Sequence, residues 1–304
     1  MLKTQENKVK IEGILSEVNI KKGSFTKNGA TVNSIGGDIK IRVNQTLPNG
    51  QAQELEIPVS MFASELTNKG TRNPAYDSIE RVMNEFNSIA AVGLEDADRV
   101  RITGATINMN EYYNRNGALT SFPRIQASFV TKVKKEECKP EATFSVIFVI
   151  GAKGYATDAD GVENPDRYKI SAILPQYGGK VDVVEFVATS KGVIDAVSNY
   201  WNVGDTVKAN GRLNFTSRTE TIVKEVDFGE PQEETRTFSI SELVLTGGSS
   251  TPLEGEFAFD ANEIKDALKA RQAHLADLKT ASQNRGKAGS APKASNNSFA
   301  DLGF

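Results

Sequence analysis

Aromatic rings set beside cations are the side chains of this sequence with the most evident chemical use. A flat ring stacks on any nucleobase and a neighbouring ammonium or guanidinium meets the phosphate, so the combination serves nucleic acid bound without regard to sequence. Such groups recur along the chain. Lys21, Lys22, Phe25 and Lys27 share one polar stretch, and Arg42 stands in the alternating run Ile39, Ile41, Val43. Tyr112 and Tyr113 precede Arg115. Further on come Lys153 with Tyr155, then Arg167, Tyr168 and Lys169 with Tyr177 after them, then Arg212, Phe215, Arg218 and Lys224. Neighbours on a strand point to opposite faces, so of Tyr112 and Tyr113 at most one is easily buried. Several rings also have a structural use that the sequence leaves open: Phe25 as cover for a barrel edge, Tyr112 and Tyr113 as closing residues of an edge strand, Tyr168 as an inward barrel residue.

These side chains need strands to hold them. Val9, Ile11, Ile14 and Val18 read as a first strand, the run around Ile41 as a second, and Leu55, Ile57 and Val59 as a third, with a hairpin through Pro48-Asn49-Gly50. Residues 60–74 are loop-like, and Tyr76 to Ile89 carries the helical spacing Ile79, Val82, Met83, Phe86, Ile89. Asp98, Val100 and Gly104 follow, and the same spacing returns in Asp205, Val207 and Gly211. A glycine inside a strand marks a bulge or bend, which lets a short sheet curl towards closure. Each copy is preceded by a helical pattern, the second through Val193, Ile194, Val197 and Trp201, with Trp201 read as core. Each is followed by another strand, Phe122 to Val133 in the first copy and Thr237 to Leu245 in the second. Three strands, a helix and two more strands describe an OB barrel.

The expected fold is therefore mainly β: two tandem OB-fold barrels, each with one helix, followed by a helix and a disordered C-terminal tail. Barrel 1 is assigned to residues 8–134, a charged linker to 135–141, barrel 2 to 142–248, a helical segment to 249–280 and a flexible tail to 281–304. The helical segment carries a stripe of Ile264, Leu268, Leu275 and Leu278 that needs a partner, either barrel 2 or another subunit.

A helix running into Tyr200-Trp201, then Gly204-Asp205-Thr206-Val207, Gly211-Arg212-Leu213 and a long hairpin resembles the bacterial-type single-stranded-DNA-binding proteins. The end of the chain, Ser298-Phe299-Ala300-Asp301-Leu302-Gly303-Phe304, is similar to their C-terminal tip, an acidic stretch ending in Pro-Phe that recruits replication and repair proteins. The resemblance implies that Phe299, Asp301, Leu302 and Phe304 bind a partner, Asp301 as the acid and Leu302 and Phe304 as the inserted residues. This chain departs from the pattern in having one acid rather than several and Gly303 in place of Pro. Two barrels per chain also agree with family members that duplicate the domain and assemble with fewer subunits.

Composition limits the alternatives. The chain has 304 residues, 38% of them hydrophobic, and a net charge of −3. From Asp260 to Phe304 seven Lys or Arg face five Asp or Glu, so the residues before Asp260 carry −5. Binding of nucleic acid then depends on local cation placement rather than on bulk charge. No run approaches the roughly 18 apolar residues of a spanning helix and the N-terminus lacks a hydrophobic targeting core, so the cytoplasm is the expected compartment and no membrane is involved. One Cys and one His exclude an intrachain disulfide and a zinc cluster. Cys138 receives no role, and His274 reads as a surface residue. With no phosphate-binding Gly-Lys-Ser loop and no nucleophile beside a histidine, neither catalysis nor a cofactor is expected. Two other classes stay open: an adaptor built from OB barrels, and a metal-dependent nucleic-acid accessory enzyme using Asp158 and Asp160. The sequence leaves a homo-oligomer open as well.

Overall fold

The computed structural model describes residues 2–3, 5–47, 50–114, 116–158, 160–224 and 232–287, with side chains described except at 217–224, 232–238 and 285–287. Barrel 1 contains β1 (Asn7–Lys27), β2 (Ala30–Thr46), β3 (Ala52–Ser64), β4 (Arg99–Tyr113) and β5 (Leu119–Gln126), with α1 (Pro74–Glu85) and the single turn α2 (Ile89–Val92) between β3 and β4. β1 pairs with β2, β2 with β3, β3 with β5 in parallel, β5 with β4, and β4 returns to β1, so the sheet closes on itself. Closure removes the open edges that a flat sheet would present. A register shift between Leu15 and Glu17 bends β1, and Gly37, at φ 152°, sits where a Cβ would lie 1.9 Å from the Asn19 carbonyl oxygen. The alternating residues Ile39, Ile41, Val43, Leu55, Ile57 and Val59 all point inward and are fully buried.

Barrel 2 repeats the circuit with β7 (Glu141–Thr157), β8 (Glu163–Pro175), β9 (Val181–Ala188), β10 (Thr206–Lys224) and β11 (Gln232–Gly248), and α3 (Lys191–Tyr200) occupies the place of α1. The repeated sequence words do the same work in both barrels. Asp98 accepts the Asn87 N–H at 2.7 Å and its carbonyl accepts Leu15 N–H, while Asp205 accepts the Asn202 N–H at 2.7 Å and its carbonyl accepts Ile150 N–H. Each aspartate thus fixes the loop that feeds the fourth strand. Trp201 is core, edge-on to Phe148, with its indole N–H donating to the Ser249 carbonyl.

Several boundaries differ from expectation. α1 begins at Pro74 because Asn73 caps it, the side-chain oxygen accepting the Ala75 N–H at 3.1 Å, and it ends at Glu85. β3 runs to Ser64, into the region expected to be loop. The expected strand Phe122 to Val133 is split into β5 and the short β6 (Thr131–Val133), which pairs with β4. The final helix α4 (Ala261–Lys287) continues beyond residue 280, where the tail was expected to start. The first half of its stripe docks on barrel 2: Ile264 and Leu268, with Ala267, pack with Val149, Ile173 and Val181 and with Leu2. The remainder of the tail, with the tip residues Phe299, Asp301, Leu302 and Phe304, lies outside the described residues.

The barrels share one sheet. β1 pairs with β7 from Asn7↔Val146 to Glu12↔Glu141, so the strand that opens barrel 1 lies beside the strand that opens barrel 2. The connection around residues 135–141 is held by Glu12, buried at 1% exposure, which pairs with Arg101 at 2.7 Å and accepts the Lys139 N–H at 2.8 Å. Those bonds hold the Glu12 carboxyl below the usual carboxylate range.

Candidate nucleic-acid interface

The β1–β2 hairpin of barrel 1 extends as a two-stranded ribbon closed by Asn28 and Gly29 at φ 51° and 77°, the backbone pattern that matches strand twist in a tight hairpin. Alternation puts Lys21, Phe25 and Lys27 on one face of the ribbon and Lys22 on the other. Lys21 and Lys27 are exposed and have no carboxylate partner among the described residues. Phe25 is half-buried against Phe62, ring centroids 6.1 Å apart, so it covers an edge while its free side lies between the two cations. Lys22 pairs with Glu80 of α1 at 2.5 Å, which raises its ammonium pKa. Arg42 is half-buried with Glu54 at 3.8 Å, and beside it Lys40 pairs with Glu17 at 2.6 Å. The outer face of β2 and β3 is therefore charge-balanced rather than cationic.

The β4–β5 hairpin supplies the most open rings of barrel 1 that share a face. Tyr112 is 46% exposed and Phe122 40%, and they meet edge to face at 6.4 Å. They fall together because Asn110 pairs with Phe122 in the ladder and Tyr112 lies two residues on, on the same outer face. Tyr113, on the opposite face, is half-buried. Asn114 organises the turn by accepting the N–H groups of Asn116 and Ala118. Arg115 lies outside the described residues. Phe122 was missed as a functional candidate. The signal was its placement on the strand pairing with the one that carries Tyr112. Arg124, also on that outer face, was missed too; its guanidinium is largely desolvated, which lowers its pKa, and its Nε has no partner.

Barrel 2 uses most of its candidates internally. Lys153 reaches the C-terminal end of α3 and donates to the carbonyls of Val197 (3.2 Å), Ser198 (2.8 Å) and Trp201, where the helix dipole favours a cation, so it is a helix cap rather than a phosphate contact. Tyr168 is buried at 6% exposure, which pushes its phenol pKa up, and Phe215 is buried at 3%; both occupy inward strand positions and are unavailable for stacking. Because Tyr168 points inward, Arg167 and Lys169 point outward, away from it, where Arg167 pairs with Glu242 at 2.6 Å and Lys169 with Glu185 at 3.0 Å. Tyr155 stays 39% exposed, with Tyr168 edge-on beneath it at 4.9 Å. Tyr177 is 89% exposed on the tight connection between β8 and β9. Arg212 is half-buried on the outer face of β10 and has no carboxylate partner among the described residues. Arg218 and Lys224 lie on β10 with their side chains outside the described set.

Asp158 and Asp160 lie in a turn between β7 and β8. One Asp158 oxygen accepts the N–H groups of Asp160 and Val162, and among the described residues no group of His, Cys, Asp or Glu is arranged to hold a metal. None of the described helices is long and apolar enough to cross a membrane.

A family model named YorF matches residues 5–281. Among solved structures, the wild-type single-stranded DNA binding protein from Thermus aquaticus is similar at 12% identity and a TM-score of 0.48, over 83% of this chain and 96% of that one. A deletion mutant of that protein is similar at 12% identity and a TM-score of 0.45, over 82% of this chain and 95% of that one. Among curated protein sequences none matches.

Proposed function

The chain belongs to the YorF family, and we propose that it binds single-stranded DNA with little sequence preference, taking the bases chiefly on barrel 1. The observation that carries this reading is the outward pair Tyr112 and Phe122 on the β4–β5 hairpin of a closed barrel whose β1–β2 ribbon presents Phe25 between Lys21 and Lys27. A stacked base contributes about 1–3 kcal/mol whatever its identity. Exposed cations add a salt-dependent phosphate term. Arg42, Arg115, Tyr155, Tyr177, Arg212, Arg218 and Lys224 remain candidates for extending the path. The tip residues Phe299, Asp301, Leu302 and Phe304 are proposed to recruit replication or repair proteins, and we assign no catalytic step to the chain.

A fluorescence titration with oligothymidylate at several salt concentrations tests the reading. Binding that weakens with salt supports it, and absence of binding to a well-folded chain removes it. A protein-binding adaptor is the second reading, favoured by the ion-paired outer face of β2 and β3; it predicts no oligothymidylate binding. Magnesium-dependent loss of the oligonucleotide would instead identify a nuclease.

A further inference from the structure

β4 parts from β1 beyond Ala105, and from Thr106 onward its other side pairs with β5. The edge facing barrel 2 would then present unpaired backbone groups, which is costly in a buried seam. Side chains take the place of the missing strand. Asn7 accepts the Ile107 N–H at 2.9 Å, and both Asn7 and Gln176 donate to the Ile107 carbonyl, at 2.9 and 2.8 Å. Asp182 of β9 accepts the Met109 N–H at 2.9 Å. Two residues further, Glu111 receives the guanidinium of Arg271 from α4, and Ser282 of α4 donates to the Tyr113 carbonyl at 3.4 Å. Alternate residues of β4 are thus held from barrel 2 and α4 up to the residue beside Tyr112. The Arg271–Glu111 pair is well shielded, with side-chain exposures of 18% and 11%.

We infer that α4 is a clamp through which barrel 2 sets the pose of the aromatic hairpin on barrel 1, with Arg271 as its positioning residue. Arg271 touches no ring; it acts through Glu111, which neighbours Tyr112 in the chain, and its cation also offsets the nearby Asp182 carboxylate. Removing the guanidinium leaves Glu111 only the Ser121 hydroxyl, at 3.2 Å within the hairpin itself, and cuts its tie to α4 while the barrel cores keep their packing. The role of the clamp in binding rests on the function proposed above, whereas its effect on the hairpin does not.

The test uses the full chain and two readouts. Amide hydrogen exchange is followed in peptides covering 106–113 and 119–123, against a reference peptide covering 39–43, and oligothymidylate affinity is measured alongside. Arg271→Ala is expected to speed exchange in the hairpin at least tenfold while leaving the reference peptide unchanged, and to weaken binding three- to tenfold. Arg271→Lys, which keeps the charge, should recover part of both effects. Should Arg271→Ala unfold the chain, Glu111→Gln carries the same test with the same expected directions. Unchanged hairpin exchange in the folded variant overturns the clamp. Faster exchange with unchanged affinity, in a chain that binds oligothymidylate, overturns the positioning role. Failure of the unmodified chain to bind oligothymidylate removes the proposed function instead, and the exchange measurement still decides whether α4 orders the hairpin.

Discussion

Barrel 1 and barrel 2 share a circuit of strands, a helix in the same place and an aspartate that braces the same loop, yet they treat their side chains differently. In barrel 1 the β4–β5 hairpin turns at Asn114 and leaves Tyr112 and Phe122 facing outward. In barrel 2 the corresponding β10–β11 ladder runs on to Lys224↔Gln232, and near its base Asn214 hydrogen-bonds Gln53 of barrel 1 and Glu242. On barrel 2 Arg167, Lys169 and Lys153 are taken up by Glu242, Glu185 and the end of α3. Topology alone does not make a binding face. What separates the barrels is whether partners within the fold have already claimed the rings and cations.

The largest difference expected between the copies lies at their matching glycines. At Gly211 a Cβ would stand 2.1 Å from the Phe144 ring and 2.4 Å from the Val244 carbonyl oxygen, whereas at Gly104 it would meet nothing within 4 Å. Overpacking of a filled core typically costs 1–3 kcal/mol, and backbone carbonyl contact adds to that. Gly211→Ala should therefore lower unfolding free energy by about 3 kcal/mol or more. Gly104→Ala should be neutral or stabilising by about 0.5–1 kcal/mol, since glycine weakens a strand interior. Urea unfolding of the two variants measures the contrast, and equal losses would mean that the repeated glycines serve the same steric need.

A second contrast concerns the seam. Asp182 is carried by barrel 2 and desolvated where β9 meets β4; burial pushes its carboxyl up to about 6 despite the bonds from Met109 and Gln176. A carboxyl raised in the folded state binds its proton more tightly there than in the unfolded chain. Stability is therefore fully gained below the unfolded value of 3.8 and lost as pH rises through about 6. At 1.36 kcal/mol per pH unit, the ionised group costs roughly 2–3 kcal/mol at pH 7.5. Asp182→Asn should thus be more stable than the parent by about 2 kcal/mol at pH 7.5, with the difference closing by pH 4. A parent chain with flat stability between pH 4 and 7 would show that Asp182 is better solvated than its surroundings indicate.

Much of the architecture was readable because it rests on local pattern. Alternation around Ile39–Val43 and Leu55–Val59 located strands, and the Asp98-to-Gly104 and Asp205-to-Gly211 spacing revealed the duplication. The docking of Ile264 and Leu268 was left undecided, since a helix stripe declares a need for cover without naming the cover. Functional residues were read less well. Lys153 looked like a phosphate contact because its neighbours in sequence are polar and aromatic, but its partners lie at Val197 to Trp201. Tyr168 lost its bracketing cations to strand alternation. The seam residues Asn7, Gln176 and Asp182 carry no local signal, because their partners Ile107 and Met109 are 69–100 residues distant.

The rings give the direct comparison of function. Replacing Tyr112 or Phe122 by Ala should weaken oligothymidylate binding by about 1–2 kcal/mol each, in the range of a single base stack. Tyr155→Ala on barrel 2 should weaken it by less than about 0.5 kcal/mol, since Tyr155 has no exposed cation beside it: Lys153 caps α3. Equal losses from both barrels would spread the bases along the whole chain and end the assignment of the load to barrel 1.

The smallest effect is expected from the ribbon cations, and it is the most diagnostic of mechanism. For single strands the logarithm of affinity falls with the logarithm of salt by about 0.7 per neutralised phosphate. Lys21 and Lys27 flank Phe25 on one face, whereas Lys22 on the other is neutralised by Glu80. Replacing Lys21 and Lys27 together by Gln should therefore reduce the magnitude of the salt slope by about 1.4, with a modest loss of affinity at physiological salt. Lys22→Gln should leave the slope nearly unchanged, with Glu80 keeping its pair with Arg72 at 3.5 Å. If Lys22→Gln shifted the slope as much as either neighbour, DNA would have to displace the Glu80 pair, and the ribbon would be read on both faces rather than one.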